Sequence, residues 1–346
     1  RRAARDRRAA SIGIEAPGHG LGALLALDPV PHVGEHAVAA RLQRLDGSAG
    51  AGLELDETGA EVLDQAVLGA AHLDAVDDQV GVVALGDVDP HRRRRLTALA
   101  RAVAVGAKSS APIVMIRETA ALLHGLPLVG EADVVHVAQP FRPGPRDAED
   151  VRRRFARVPP EHTTRLHDLP VTTLERTVTD CAMSLGRREG LVIADAALHV
   201  GADPELCERI LATMTGRRGV VTARWVLEHA DEGSESPGES LLRFAILTGG
   251  LPCPETQIRV ITERGTYWGD MGWPRERVIV EYDGLSKYEA SGRASSAVLA
   301  EKRRQEALEA AGWAVIRATA TDLRDPAPLL RHIATTLRSR QHRSSS

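Results

Sequence analysis

The stretch Tyr267-Trp-Gly-Asp270-Met-Gly-Trp273-Pro-Arg-Glu-Arg277-Val-Ile-Val280-Glu281-Tyr-Asp283-Gly-Leu-Ser-Lys287 decides how the second half of the chain folds. Val278, Ile279 and Val280 form a β-branched run, the residue type that packs best on a pleated sheet. Side chains alternate along a strand, so Ile279, Glu281 and Asp283 are expected on one face and Val278, Val280 and Tyr282 on the other. Residues 267–273 read as the preceding strand, and Pro274–Arg277 as a polar loop of hairpin length. Pairing Trp273 with Val278 then counts Asp270 opposite Glu281, with Cβ atoms roughly 4.5–5.5 Å apart. Three carboxylates so placed repel one another and raise each other's pKa. A hard divalent cation with oxygen ligands, Mg²⁺ or Mn²⁺, relieves that repulsion, and the expected ligands are Asp270, Glu281 and Asp283. The same counting on the earlier hairpin, between Thr262 and Tyr267, places Arg259 opposite Asp270. A set of ion pairs with Arg259 and Lys287 therefore stays open beside the metal site.

Working outward, the elements come as αβββαβ: a helix from Pro237 to Thr248, strands at 257–262, 267–272 and 278–283, a helix over 296–311 and a closing strand over 313–317. With Glu239 on the first helix, Asp270, Glu281-Tyr-Asp283-Gly, Glu301-Lys302-Arg303-Arg304 and Gly312-Trp313-Ala-Val-Ile-Arg317, residues 233–325 resemble the restriction-endonuclease-like PD-(D/E)xK core. In detail they resemble the small domain related to the very-short-patch-repair nucleases. The resemblance implies a mixed sheet and Mg²⁺-dependent hydrolysis of DNA phosphodiester bonds, in which the cation polarises the phosphate and activates water. Asp270, Glu281, Asp283, Lys287 and Glu239 are the implied catalytic residues, with Lys287 stabilising charge on the phosphate. Lys302, Arg303 and Arg304 are the implied DNA contacts. Plainer roles stand beside these: Glu239 as a first-turn acid at a helix dipole, Lys287 as an exposed loop lysine, and ion pairs from 302–304 to Glu301 and Glu306. The PD-(D/E)xK pattern has a lysine two positions after the glutamate, and here that position is Asp283.

Residues 91–230 read as a helix-rich α/β domain. Leu96–Val105 is a helix, and Arg117–His124 a helix closed by Gly125. Val134–Val137 is a strand. Thr172-Thr-Leu-Glu175 is a capping box that opens the helix 176–185. Three more helices follow to His229. Arg117-Glu-Thr-Ala-Ala-Leu-Leu-His124-Gly-Leu-Pro127, Leu169-Pro-Val-Thr-Thr-Leu-Glu175-Arg-Thr177, Asp180 and Ala194-Asp195-Ala-Ala-Leu198 carry a resemblance to actinobacterial AbiEi-like antitoxins of type IV toxin–antitoxin systems. That resemblance implies a non-catalytic regulator with a cognate toxin as partner. The histidines, among them His124, His136 and His199, lack metal-ligand spacing and read as surface or helix-end residues.

Residues 1–90 contain no Lys, Phe, Tyr, Trp, Cys or Met, so they have little with which to fill a core. They read as a poorly ordered segment or a mistranslated extension, and not as the winged helix that usually opens AbiEi-like chains. Asp231–Gly238 reads as a polar linker between the domains 91–230 and 231–330, and 331–346 as a polar tail. The net charge of −3 over 346 residues gives no global pull toward nucleic acid, so any affinity must come from local patches. Three widely spaced cysteines argue for free thiols in a reducing cytoplasm. No apolar run is long enough to span a membrane.

Overall fold

The computed structural model describes residues 90–130, 132–143, 150–284 and 294–344. The readings of residues 1–89 and of Lys287 lie outside them. The described residues belong to one compact unit built on two mixed sheets with helices, an α/β fold.

The first half contains α1 (Pro90–Lys108), β1 (Val114–Met115), α2 (Arg117–Leu123), β2 (Val135–Gln139), β3 (Val151–Phe155), β4 (Thr163–Leu166) and β5 (Leu169–Thr172). Then come α3 (Leu174–Ser184), α4 (Arg187–His199), α5 (Pro204–Ala212) and α6 (Val220–His229). The strands form one sheet in the order β3-β2-β1-β5-β4, parallel at β2–β3 and β1–β5 and antiparallel elsewhere. Met115, Val137 and Val171 are buried on it under α1 and α2. The helices α3–α6 bury a second cluster around Ile193, Ile210 and Val226. The N-cap of α3 is Thr173, one residue later than expected: its hydroxyl accepts the N–H of Arg176, while Thr172 belongs to β5.

The second half contains α7 (Pro237–Thr248), β6 (Glu255–Thr262), β7 (Gly265–Trp273), β8 (Val278–Asp283), α8 (Ala294–Ala310), β9 (Ala314–Thr319) and α9 (Ala327–Ser344). The αβββαβ order is as expected, and the sheet runs β6-β7-β8-β9 with only β8–β9 parallel. The sheet divides two layers. Val278, Val280 and Tyr282 pack toward α7 and α9 with Leu242, Ile246, Ile333 and Leu337. Ile279 packs toward α8 with Leu308. This is the alternation expected of β8.

Two expectations are corrected here. The stretch read as a polar tail is mostly α9, whose Ile333 and Leu337 are buried. Leu329, Ile333 and Leu337 recur at four-residue spacing, the stripe of a helix laid on a core. The stretch read as a polar linker is firmly held. Ser234 is buried, Asp231 Oδ1 accepts from Thr256 Oγ1 at 2.8 Å, and Gln257 Nε2 donates to the Gly233 carbonyl at 3.0 Å. A buried ion pair joins the halves at this point. Arg243 of α7 donates to Asp195 Oδ1 of α4 at 2.5 Å, to the His229 carbonyl at 2.5 Å and to Ser234 Oγ at 3.1 Å.

Candidate functional site

The β7–β8 register is the one counted from the loop: Trp273 pairs with Val278, Gly272 with Ile279 and Met271 with Val280. The ladder stops there. Instead of continuing to an Asp270–Glu281 pair, Asp270 turns its carboxylate onto the neighbouring strand, where Oδ2 accepts the Tyr282 N–H at 2.7 Å. On the other side, Gln257 and Asp270 drop out of a ladder that is regular before and after them. Gln257 has φ +50°, in the left-handed region. The break switches faces. Tyr267 packs with Ile258 and Ile279 toward α8, whereas Met271, four residues on, packs toward α7 and α9. Strict alternation through residues 267–273 is therefore corrected: the strand is kinked at the candidate acid.

Arg259 lies opposite Trp268, not Asp270. The hairpin turn is tighter than counted, with Thr262 paired to Gly265 and only Glu263-Arg264 between them. The Thr262 hydroxyl closes it, accepting the Arg264 N–H at 3.1 Å and donating to the Gly265 carbonyl at 2.9 Å.

Glu281 is 8% exposed at the α8 side of β8. Its partner is Arg304 of α8, whose two terminal nitrogens reach both carboxylate oxygens, Nη1 to Oε2 at 3.0 Å and Nη2 to Oε1. The same guanidinium bonds Glu301 Oε1 at 3.2 Å and the Trp268 carbonyl at 2.7 Å, and Glu301 also takes Arg317 of β9. Glu301, Arg304 and Leu308 stand three and four residues apart, so they share the helix face turned to the sheet. Arg304, read either as a DNA contact or as an ion-pair partner of Glu301, makes the Glu301 pair and beyond it a forked clamp on Glu281, while Lys302 and Arg303 beside it are exposed.

Glu239 is brought to Asp270 by a close approach. A Cβ on Gly238 would fall 1.9 Å from the Tyr282 ring, so only glycine lets the start of α7 lie on the end of β8. Glu239 closes a capping box: Ser236 Oγ accepts the Glu239 N–H at 3.2 Å, and the carboxylate accepts the Ser236 hydroxyl at 2.7 Å and the Glu235 N–H at 2.9 Å. The Ser236-Pro-Gly-Glu239 sequence is the signal that identifies it. Burial pushes the Asp270 carboxyl up to about 7, aided by Glu239 and Glu281 and opposed by the Tyr282 N–H and Arg304. Asp283 ends β8 half-buried, paired across to Thr319.

As arranged, these residues do not fit a shared cation site. Both Glu281 oxygens are taken by Arg304, Asp270 Oδ2 by Tyr282, and both Glu239 oxygens by the cap. Among the described residues no group of three or more His, Cys, Asp or Glu is placed to hold a metal ion.

Two curated relatives match the sequence: the uncharacterized proteins Rv2248 and MT2308 of Mycobacterium tuberculosis, strains H37Rv and CDC 1551. Each is 34% identical over 161 residues, 46% of this chain and 58% of the relative. The chain thus spans less than two thirds of the curated relatives it matches. No family model and no solved structure matches.

Among the described residues Cys181, Cys207 and Cys253 are free thiols, and no helix is long and apolar enough to cross a membrane.

Proposed function

We propose that the chain is a nucleic-acid-binding regulator that keeps a nuclease-like carboxylate centre without cleaving phosphodiester bonds. The observation that supports this reading is the Arg304 clamp. It occupies both oxygens of Glu281, the acid a catalytic cation would need, while Asp283 stands where the nuclease pattern has its lysine. Such a centre holds α8 to the sheet and presents Lys302 and Arg303 to DNA phosphates. The resemblance of the first half to AbiEi-like antitoxins supports a cognate toxin of a type IV toxin–antitoxin pair as its partner. Its free thiols suit the cytoplasm. The test is a nuclease assay on plasmid and oligonucleotides with Mg²⁺ or Mn²⁺, together with a thermal melt in Mn²⁺. The expected result is no cleavage and no metal-dependent rise in melting temperature. Cleavage that Asp270→Asn abolishes overturns it.

One observation favours the second reading, a Mg²⁺-dependent endonuclease acting at Asp270, Glu281 and Asp283. Asp270 is crowded by Glu239 and Glu281, and a cation would offset that repulsion. On this reading Arg304→Met, which frees Glu281, creates or raises metal-dependent cleavage. On the regulator reading it only destabilises, by about 2–4 kcal/mol, because a buried carboxylate loses its partner.

A further inference from the structure

The second sheet ends on β6, and the outer edge of that strand is covered over part of its length. At its start the 231–234 segment lies against it, through the bonds from Thr256 to Asp231 and from Gln257 to Gly233. Past the kink at Gln257, pairing with β7 is regular from Ile258 to Thr262. Thr262 and Gly265 flank a two-residue turn, so they exchange both of their backbone hydrogen bonds, and the antiparallel ladder alternates from there. Val260 and Ile258 therefore spend their N–H and C=O on β7, while Arg259 and Ile261 point theirs outward. Among the described residues neither finds another backbone partner on that side.

The side chains alternate as well. Ile258 and Val260 are buried with Leu308 on the α8 side. Arg259 and Ile261 face the other way, and Ile261 is 71% exposed. Trp268, paired with Arg259 on the same face, is 54% exposed. Open backbone groups beside an exposed isoleucine are a template for pairing with another strand. A charged residue on the edge ordinarily blunts that tendency, but the charge of Arg259 has a match in this same segment. Glu263, exposed at the turn, continues the alternation 259, 261, 263. A two-fold interface must be complementary to itself. Antiparallel pairing of two copies about Ile261 meets that condition: Ile261 lies opposite its own counterpart, and Arg259 opposite Glu263 of the second copy, once at each end. Pairing about Val260 would set Arg259 against isoleucine, and pairing about Arg259 would set it against itself.

We propose that the open edge of β6 is a dimer interface, at which two copies of this chain pair residues 259–263 and join their four-stranded sheets into one. The inference stands apart from the nucleic-acid-binding reading above. Sedimentation equilibrium over a concentration series tests it, on the full chain and on variants whose melting profiles show them folded. The wild type should pass from monomer to dimer as concentration rises. Arg259→Glu and Glu263→Arg each set like charges opposite one another at both ends of the pairing, and each should raise Kd about tenfold. The double variant Arg259→Glu/Glu263→Arg exchanges the charges and should return Kd to the wild-type value. Ile261→Lys, at a position already exposed, should leave a folded monomer. A dimer that survives Ile261→Lys overturns the proposal, as do single-variant losses that the double variant does not restore. A wild type that stays monomeric overturns it too, and Trp268-dependent quenching by added oligothymidylate would then assign the face to nucleic acid.

Discussion

Asp270 behaves unlike an ordinary carboxylate because it is half removed from water beside two other acids. Its proton is held more tightly in the folded chain than in the unfolded one, where the ordinary value is 3.8. The stabilisation this brings is complete below that value and is lost as the pH rises toward about 7. Asp270→Asn stays neutral throughout and can still accept the Tyr282 N–H. Its stability relative to wild type should therefore climb between about pH 4 and pH 8, by on the order of 2–4 kcal/mol after allowing for residual solvent contact. Urea melts at several pH values read this directly, and a pH-independent difference between the two proteins would refute the assignment. The strands of this centre and their register short of the break at Asp270 were visible in the sequence, because a β-branched run and a four-residue loop set them. The clamp was not. Nothing in Glu301-Lys-Arg-Arg304 distinguishes an arginine that reaches across a sheet from one that faces solvent until the helix is docked.

Among the elements, α7 positions the site. Its first turn is held by the Ser236–Glu239 box and by the contact of Gly238 with Tyr282, so it enters at the open end of β8. Ser236→Ala should cost about 1 kcal/mol. It should also lower the proton affinity of Asp270 as Glu239 moves away, a change that carboxyl titration by NMR would detect. An unchanged titration would mean that Glu239 is not what crowds Asp270. The features that sequence reading missed have different causes. β3 carries three arginines in a row, and an edge strand with one exposed side leaves no apolar alternation to find. The kink at Gln257 and Asp270 obeys no residue preference, since glutamine rarely adopts positive φ; the surrounding sheet imposes it. In α9, by contrast, the four-residue stripe was present and hidden only by its Arg- and Ser-rich surroundings.

At the scale of the molecule, the two sheets are joined through α4 and α7 by Arg243 and Asp195, which is wholly buried. Burial pushes the Asp195 carboxyl up while Arg243 pulls it down. Arg243→Met leaves that acid without its cation and should destabilise the chain by about 3–5 kcal/mol, as a buried pair broken on one side does. Arg243→Met with Asp195→Leu should recover much of the loss. Because the pair spans both halves, each single substitution should lower one cooperative melt; two separate transitions would show that the halves fold independently. The Pro/Gly/Ser composition of 231–238 read as a linker because composition reports polarity and turns, and says nothing of whether the polar groups find partners inside the fold.

The same pair limits how such a chain can be rearranged in evolution or in the laboratory. A C-terminal cassette cut at residue 231 and grafted onto another helical body would carry Arg243 into an interface without Asp195. Functional chimeras should therefore trade α4 together with α7, so that the unit of exchange is the helix pair and not the half that the linker-like sequence outlines.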